Sequence, residues 1–280
     1  MKLAFATPTP EVNAPVPVAL FSGSFSERLE KAAGLCYDGV ELMVARPDEV
    51  DAAAIRAQVA GLGLEIAAIA SGAVYMVDKL TLLATDADVS RRAAARLEEL
   101  IEFAAATGAP LVTIGAFRGR LAWAGGHEAR ARFIEILSVA AQKAAERDVR
   151  LVLETLNRYE SDIVNNTSEA LALFEEVGHS HLGLLLDTFH VNIEEPSVTE
   201  CFRQGMATGR LWHVHLGDSN RLPPGQGHID FDGIVATLNE VGYKGYLSAE
   251  LLPRPDPDAA AEVTIRHMRQ FVPPRSKEKD

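Results

Sequence analysis

The sequence predicts a single closed (β/α)₈ barrel of the α/β class. Short apolar runs alternate with longer stretches of helical period eight times along the chain. Most of the short runs are near-continuously apolar, as expected for strands covered on both faces. The 280 residues, 48% of them hydrophobic, suffice for one large core, and barrels of this kind commonly use about 250 residues as one unit. A doubly wound open sheet is the structural alternative. It would usually carry a glycine-rich fingerprint after its first strand, where this chain reads ATPTPEVN.

Taken in order, the first strand is LAFATP from Leu3, followed by a helix over 24–36 with apolar spacing of three and four. GVELMV from Gly39 leads into a helix over 51–62, EIAAIA from Glu65 into one over 88–107, and LVTIGAF from Leu111 into one over 128–147. RLVLETL from Arg150 precedes a helix over 168–177. LGLLLDTF from Leu182 precedes 197–208, which carries the weakest helical pattern. LWHVHLGD from Leu211 is followed by a helix over 232–241 that stops at Gly242, and YLSAELL from Tyr246 by the last, over 258–271. The barrel is expected over residues 1–272, with 273–280 as a charged, solvated tail.

Composition narrows the function. Lys and Arg number 27 against 39 Asp and Glu, a net charge of −12, which disfavours nucleic acid and anionic membrane as partners. Cys36 and Cys201 form no C-x-x-C pair, so neither a disulfide framework nor a zinc ribbon is indicated. The N-terminus lacks a signal-peptide pattern and no run of about 18 apolar residues occurs, so a cytoplasmic protein is expected.

In such barrels the active site lies at the C-terminal ends of the strands. Strands five to eight end on Glu154, Asp187, His215 and Glu250. Three carboxylates in one low-dielectric mouth would repel each other and raise their pKa values. One divalent cation resolves the conflict, and oxygen-rich ligation with one nitrogen suits Mn²⁺, Mg²⁺ or Co²⁺. Just beyond the strands lie Glu160, His190 and Arg221. An imidazole and a guanidinium beside a metal are natural donors to substrate oxygens, although Arg221 could instead pair with Asp218 or Asp230. His213 shares a face with His215 at period two and is the more economical as a core histidine. The loop from Pro223 to His228, PPGQGH, reads as a shaped turn over the site. Arg118 and Arg120, after the fourth strand, either bind a substrate carboxylate or are surface cations. Glu41 either supports the site or is a satisfied rim carboxylate.

The fragments ETLNRYE, LDTFHVNIEE, HVHLGDSNRLPPGQGHIDF and AELL resemble site motifs of the xylose-isomerase-like sugar phosphate isomerase/epimerase superfamily, within it the ketose 3-epimerases. The resemblance implies Glu154, Asp187, His215 and Glu250 as metal ligands, with Mn²⁺ the first choice, and Glu160, His190 and Arg221 as substrate contacts. It also implies a homodimer or homotetramer. In the first half, YDGVELMVARP, IASGAVYMVDKL and IGAFRGR look more like a branch described as 5-keto-L-gluconate epimerase. A substrate carboxylate would give Arg118 and Arg120 a purpose.

The implied reaction is epimerisation of a keto-sugar or keto-sugar acid. A proton leaves one face of the carbon beside the ketone and returns on the other, through an enediolate, with Glu154 and Glu250 as base and acid. An aldose–ketose isomerase would use much the same groups. An apurinic endonuclease barrel would need further histidines at strand ends three and four, which read IASG and GAFRGR. A non-catalytic sugar-binding barrel would have no use for both glutamates.

Overall fold

The computed structural model describes residues 1–125 and 127–274. The strands β1 (Lys2–Pro8), β2 (Gly39–Met43), β3 (Glu65–Ala70), β4 (Leu111–Ile114), β5 (Arg150–Glu154), β6 (Leu182–Asp187), β7 (Leu211–Leu216) and β8 (Tyr246–Ala249) pair in parallel in chain order. β8 pairs with β1 and closes the barrel.

Around it lie α1 (Phe25–Gly34), α2 (Ala52–Gly61), α3 (Gly72–Asp78), α4 (Ala87–Thr107), α5 (Leu121–Ala124), α6 (His127–Glu146), α7 (Thr167–Val177), α8 (Thr188–Glu194), α9 (Val198–Ala207), α10 (Phe231–Glu240) and α11 (Pro257–Met268). The long helices start where short polar side chains take an orphan amide. Ser24 and Glu27 form a capping box on α1, and Asp51, Asp86, Asn166 and Asp230 cap α2, α4, α7 and α10. Such caps stabilise a helix by about 1 kcal/mol each.

Alternation along the strands sorts two cores. Outward residues such as Phe5, Val40, Leu42, Val112 and Leu184 pack with buried helix residues including Leu29, Leu97, Phe133 and Phe174. A smaller cluster of Ala68, Leu111, Val152 and Leu185 fills the barrel interior. The floor beneath the strand ends is therefore packed, and the chemistry is left to the upper rim.

Two segments differ from the sequence expectation. The sixth strand stops at Asp187 rather than running through Phe189, because Asp187 Oδ1 accepts the Phe189 amide at 2.8 Å and starts α8. The weakly patterned segment after it is a regular helix, α9, which buries Cys201, Phe202 and Gly205. A Cβ on Gly205 would stand 3.0 Å from Leu184 and 3.3 Å from Leu211. Close docking, not apolar count, holds that helix. Short α3, α5 and α8 lie in stretches where no helix was expected from the sequence. Residues 275–280 of the expected tail lie outside the described residues.

Candidate active site

Glu154, Asp187, His215 and Glu250 sit at or just beyond the ends of β5 to β8, as the alternation of elements requires. Asp187 and His215 face each other in the β6–β7 register. His215 Nδ1 lies 2.7 Å from Glu250 Oε2 and 3.5 Å from Glu154 Oε1. Glu154, His215 and Glu250 each offer an atom within 4.8 Å of the others, and so do Glu154, Asp187 and His190. Glu154 joins the two groups.

The donor set fits a divalent cation on its own chemistry. Glu154 Oε1, Asp187 Oδ2 and His215 Nδ1 are buried atoms without a hydrogen-bond partner. The 2.7 Å approach of Glu250 to Nδ1 is thus an ionic contact without hydrogen-bond alignment. Burial, reinforced by the neighbouring carboxylates, pushes Asp187 up to about 7 and raises Glu154. Burial also opposes charge on His215, yet Glu41 on one side and Glu250 on the other hold it well above the usual histidine range. The site favours positive charge at Nδ1, whether a proton or a metal ion supplies it.

Glu41, on β2, explains how His215 is oriented. Its two oxygens each lie 3.1 Å from His215 Nε2, and Oε2 lies 2.9 Å from His213 Nε2. These contacts cross the barrel interior, since β1 and β8 stand between β2 and β7. Burial opposes the charge on Glu41, but both imidazoles hold it well below the usual carboxylate range. An ionised Glu41 fixes hydrogen on His215 Nε2 and leaves Nδ1 facing the mouth. Glu41, His213 and His215 also approach one another closely enough to hold an ion, but their facing atoms are joined by hydrogen bonds.

His190 is set by Asn157. Asn157 Oδ1 accepts the Tyr159 amide at 3.0 Å, which turns Nδ2 toward His190 Nδ1 at 2.7 Å and Glu160 Oε1 at 3.1 Å. The Asn157 amide also donates to His190 Nδ1, at 3.3 Å. With Nδ1 accepting twice, the proton sits on Nε2, which has no hydrogen-bond partner and lies 3.8 Å from Glu154 Oε1. Burial keeps this imidazole neutral, well below its usual range. His190 thus presents an N–H to the site rather than a lone pair.

Arg221 pairs with Glu160, Nη1 to Oε1 at 3.0 Å, and lies over the Phe189 ring at 5.1 Å. Of the two partners considered from sequence, Asp218 spends its carboxylate on the amides of Ser219, Gly225 and Ile229 and so shapes the PPGQGH loop, and Asp230 caps α10. Arg221 itself has φ +60°, an uncommon backbone for a non-glycine residue.

The two arginines after β4 separate. Arg118 is fully buried, and its guanidinium donates to the carbonyls of Gly115, Ile163 and Glu154. It braces the backbone under Glu154. Arg120 is partly exposed and donates to the Tyr159 carbonyl. A cavity of about 220 Å³ at this rim is lined by Glu154, Glu250, Glu160 and Arg221 on one side and by Val18, Met43, Ala70 and Met76 on the other. Sequence reasoning did not assign roles to Asn157 or Gly115. A Cβ on Gly115 would run into Glu154 Oε2, a constraint that a glycine after a strand does not announce.

Fold and site together define a barrel enzyme scaffold with an acidic, imidazole-bearing cluster at the strand ends that could hold a cation. The chain belongs to the xylose isomerase-like TIM barrel family, whose model matches residues 29–271. It is 32% identical over 216 residues to the L-ribulose 3-epimerase of Mesorhizobium japonicum, covering 76% of this chain and 71% of that protein. It is 38% identical over 149 residues to the D-psicose 3-epimerase of Enterocloster bolteae, covering 53% of this chain and about half (48%) of that protein's length. The solved structure of the 3-keto-D-glucoside 4-epimerase of E. coli superposes with TM-score 0.80 at 21% identity, covering 96% of this chain and 99% of the other, a likeness of fold. Among the described residues, no helix is long and apolar enough to cross a membrane.

Proposed function

We propose that this protein epimerises a keto-sugar or keto-sugar acid at the carbon beside its ketone. The observation that carries the reading is the pair Glu154 and Glu250. They come from β5 and from the residue after β8, yet approach the same imidazole nitrogen at 3.5 and 2.7 Å. The 3-epimerases among its relatives and the fold neighbour named as a ketoglycoside 4-epimerase support the same chemistry.

One carboxylate takes the proton from one face of the carbon, and the other returns a proton to the opposite face of the enediolate. A divalent cation held by Glu154, Asp187, His215 and Glu250, Mn²⁺ first and Mg²⁺ or Co²⁺ in its place, would supply the electrostatic stabilisation of that developing negative charge. His190 Nε2–H and the Arg221 guanidinium donate to substrate oxygens, and Glu160 accepts from a hydroxyl while holding Arg221. Arg118 acts through the Glu154 backbone, which leaves Arg120 as the cation available to a substrate carboxylate at the rim. A cytoplasmic homodimer or homotetramer completes the proposal; the oligomeric state rests on the sequence resemblance, the location on the sequence pattern.

Product analysis tests it. Incubation with ketohexoses, 5-keto-hexonates and 3-keto-glycosides in the presence of Mn²⁺ is expected to give an epimer of at least one of them. An aldose product would replace the epimerase reading by that of an aldose–ketose isomerase. Unchanged starting material throughout would overturn both.

A further inference from the structure

The cavity over the acid–base pair continues into a second, open groove of about 370 Å³. The two share Tyr75, Ala116 and Glu160 as walls. The outer groove adds Arg120, Trp123 and Tyr159. Among the described residues only three large hydrophobic side chains are exposed, and two of them, Trp123 at 47% and Tyr159 at 74%, are here. Burying a large apolar side chain stabilises a fold, so two exposed rings in one groove are left out at a cost.

Their backbones are nevertheless fixed. The Tyr159 amide donates to Asn157 Oδ1 at 3.0 Å, and its carbonyl accepts from Arg120. Trp123 lies on α5, whose first amides, of Leu121 and Ala122, donate to Asp162 at 2.7 and 2.8 Å, while the Trp123 carbonyl accepts from Thr85. Arg120 lies over the Trp123 ring at 5.8 Å, and among its guanidinium nitrogens only Nη2 is engaged in a hydrogen bond to a described residue. Aromatic side chains on a fixed backbone, beside a guanidinium and a carboxylate, suit a hydroxylated ring. Its C–H faces stack on the aromatic rings while its hydroxyls meet Arg120 and Glu160.

We propose that this groove is a distal subsite for a second sugar ring, so that the substrate is a keto-sugar joined to a glycosyl group rather than a free monosaccharide. This rests on the epimerase reading for the reacting ring. A guanidinium over an aromatic ring also serves protein contacts, so self-association is an outcome the test must separate.

The test compares a 3-keto-disaccharide with the matching methyl 3-keto-glycoside, in the wild type, Trp123→Ala and Tyr159→Ala. It adds saturation-transfer NMR with cellobiose as a non-reacting probe. The expected result is a kcat/KM about tenfold or more higher for the disaccharide. Each variant loses most of that advantage while turnover of the methyl glycoside stays unchanged, and cellobiose signals seen with wild type vanish with Trp123→Ala. Equal kcat/KM for the two substrates, or equal losses on both in the variants, overturns the subsite. So does a cellobiose signal that is absent or indifferent to Trp123→Ala, or a dimer that this substitution dissociates. If neither these keto-substrates nor free ketohexoses and 5-keto-hexonates react but cellobiose binding depends on Trp123, the epimerase reading fails and the sugar subsite stands.

Discussion

Glu41 and His215 meet across the barrel interior, both carboxylate oxygens 3.1 Å from Nε2, although β1 and β8 separate their strands. That contact decides which nitrogen of His215 is offered to the mouth. Glu41→Gln keeps the shape but removes the charge that fixes the imidazole. Divalent-cation affinity measured by calorimetric titration is expected to fall by about 10- to 100-fold, with the circular dichroism spectrum unchanged. Undiminished affinity would reduce Glu41 to a satisfied core carboxylate.

Asn157 holds His190 in the tautomer that donates from Nε2. Asn157→Asp replaces the donor by an acceptor and favours the proton on Nδ1. The ¹⁵N shifts of His190 are expected to exchange their pyrrole-like and pyridine-like positions, and kcat to fall about 10²-fold with a smaller change in KM. A tautomer indifferent to the substitution would remove Asn157 from the account.

Gly115 lies against the Glu154 carboxylate with no room for a Cβ. Gly115→Ala should therefore displace the carboxylate rather than unfold the barrel. The expected outcome is a loss of cation affinity and turnover, with thermal stability lowered by no more than about 1 kcal/mol. A variant of wild-type activity would show that Glu154 tolerates the shift.

Helix α3, which carries Tyr75 and Met76 along the cavity wall, is tied down through Asp78 to Arg46 at 2.7 Å and Arg96 at 3.0 Å. Hydrogen bonds from Arg46, against some burial and with help from Arg96, hold the Asp78 carboxyl below its ordinary value. Its contribution is present above the unfolded value, about 4, and is lost as pH falls through the lower folded value. Arg46 is partly exposed, so Asp78→Asn is expected to cost only about 1 kcal/mol at neutral pH. The difference from wild type should vanish in acid, as followed by urea unfolding at stepped pH.

The barrel was legible because its eight runs are apolar on both faces, and the gathering of Glu154, Asp187, His215 and Glu250 at one rim because each lies at the end of such a run. What stayed hidden depends on contacts between distant elements. Glu41 sits among apolar strand residues, and its partners are more than 170 positions away. Arg118 looked like a rim cation, but three carbonyls that only the fold brings together absorb its guanidinium. Helix α9 looked weak because Gly205, unfavourable in isolation, is what lets it dock. Trp123 and Tyr159 gave no signal, since an aromatic residue in a loop reads equally as core.

The central claim is proton transfer at the carbon beside a ketone, and proton NMR in D₂O tests it most directly. The Mg²⁺-loaded protein would be incubated with ketohexoses, 5-keto-hexonates and 3-keto-glycosides. The account predicts deuterium at that carbon together with a new epimer, abolished by Glu154→Gln or Glu250→Gln and by chelation. Absence of exchange with every member of the panel, under conditions where calorimetry shows the cation bound, would contradict it.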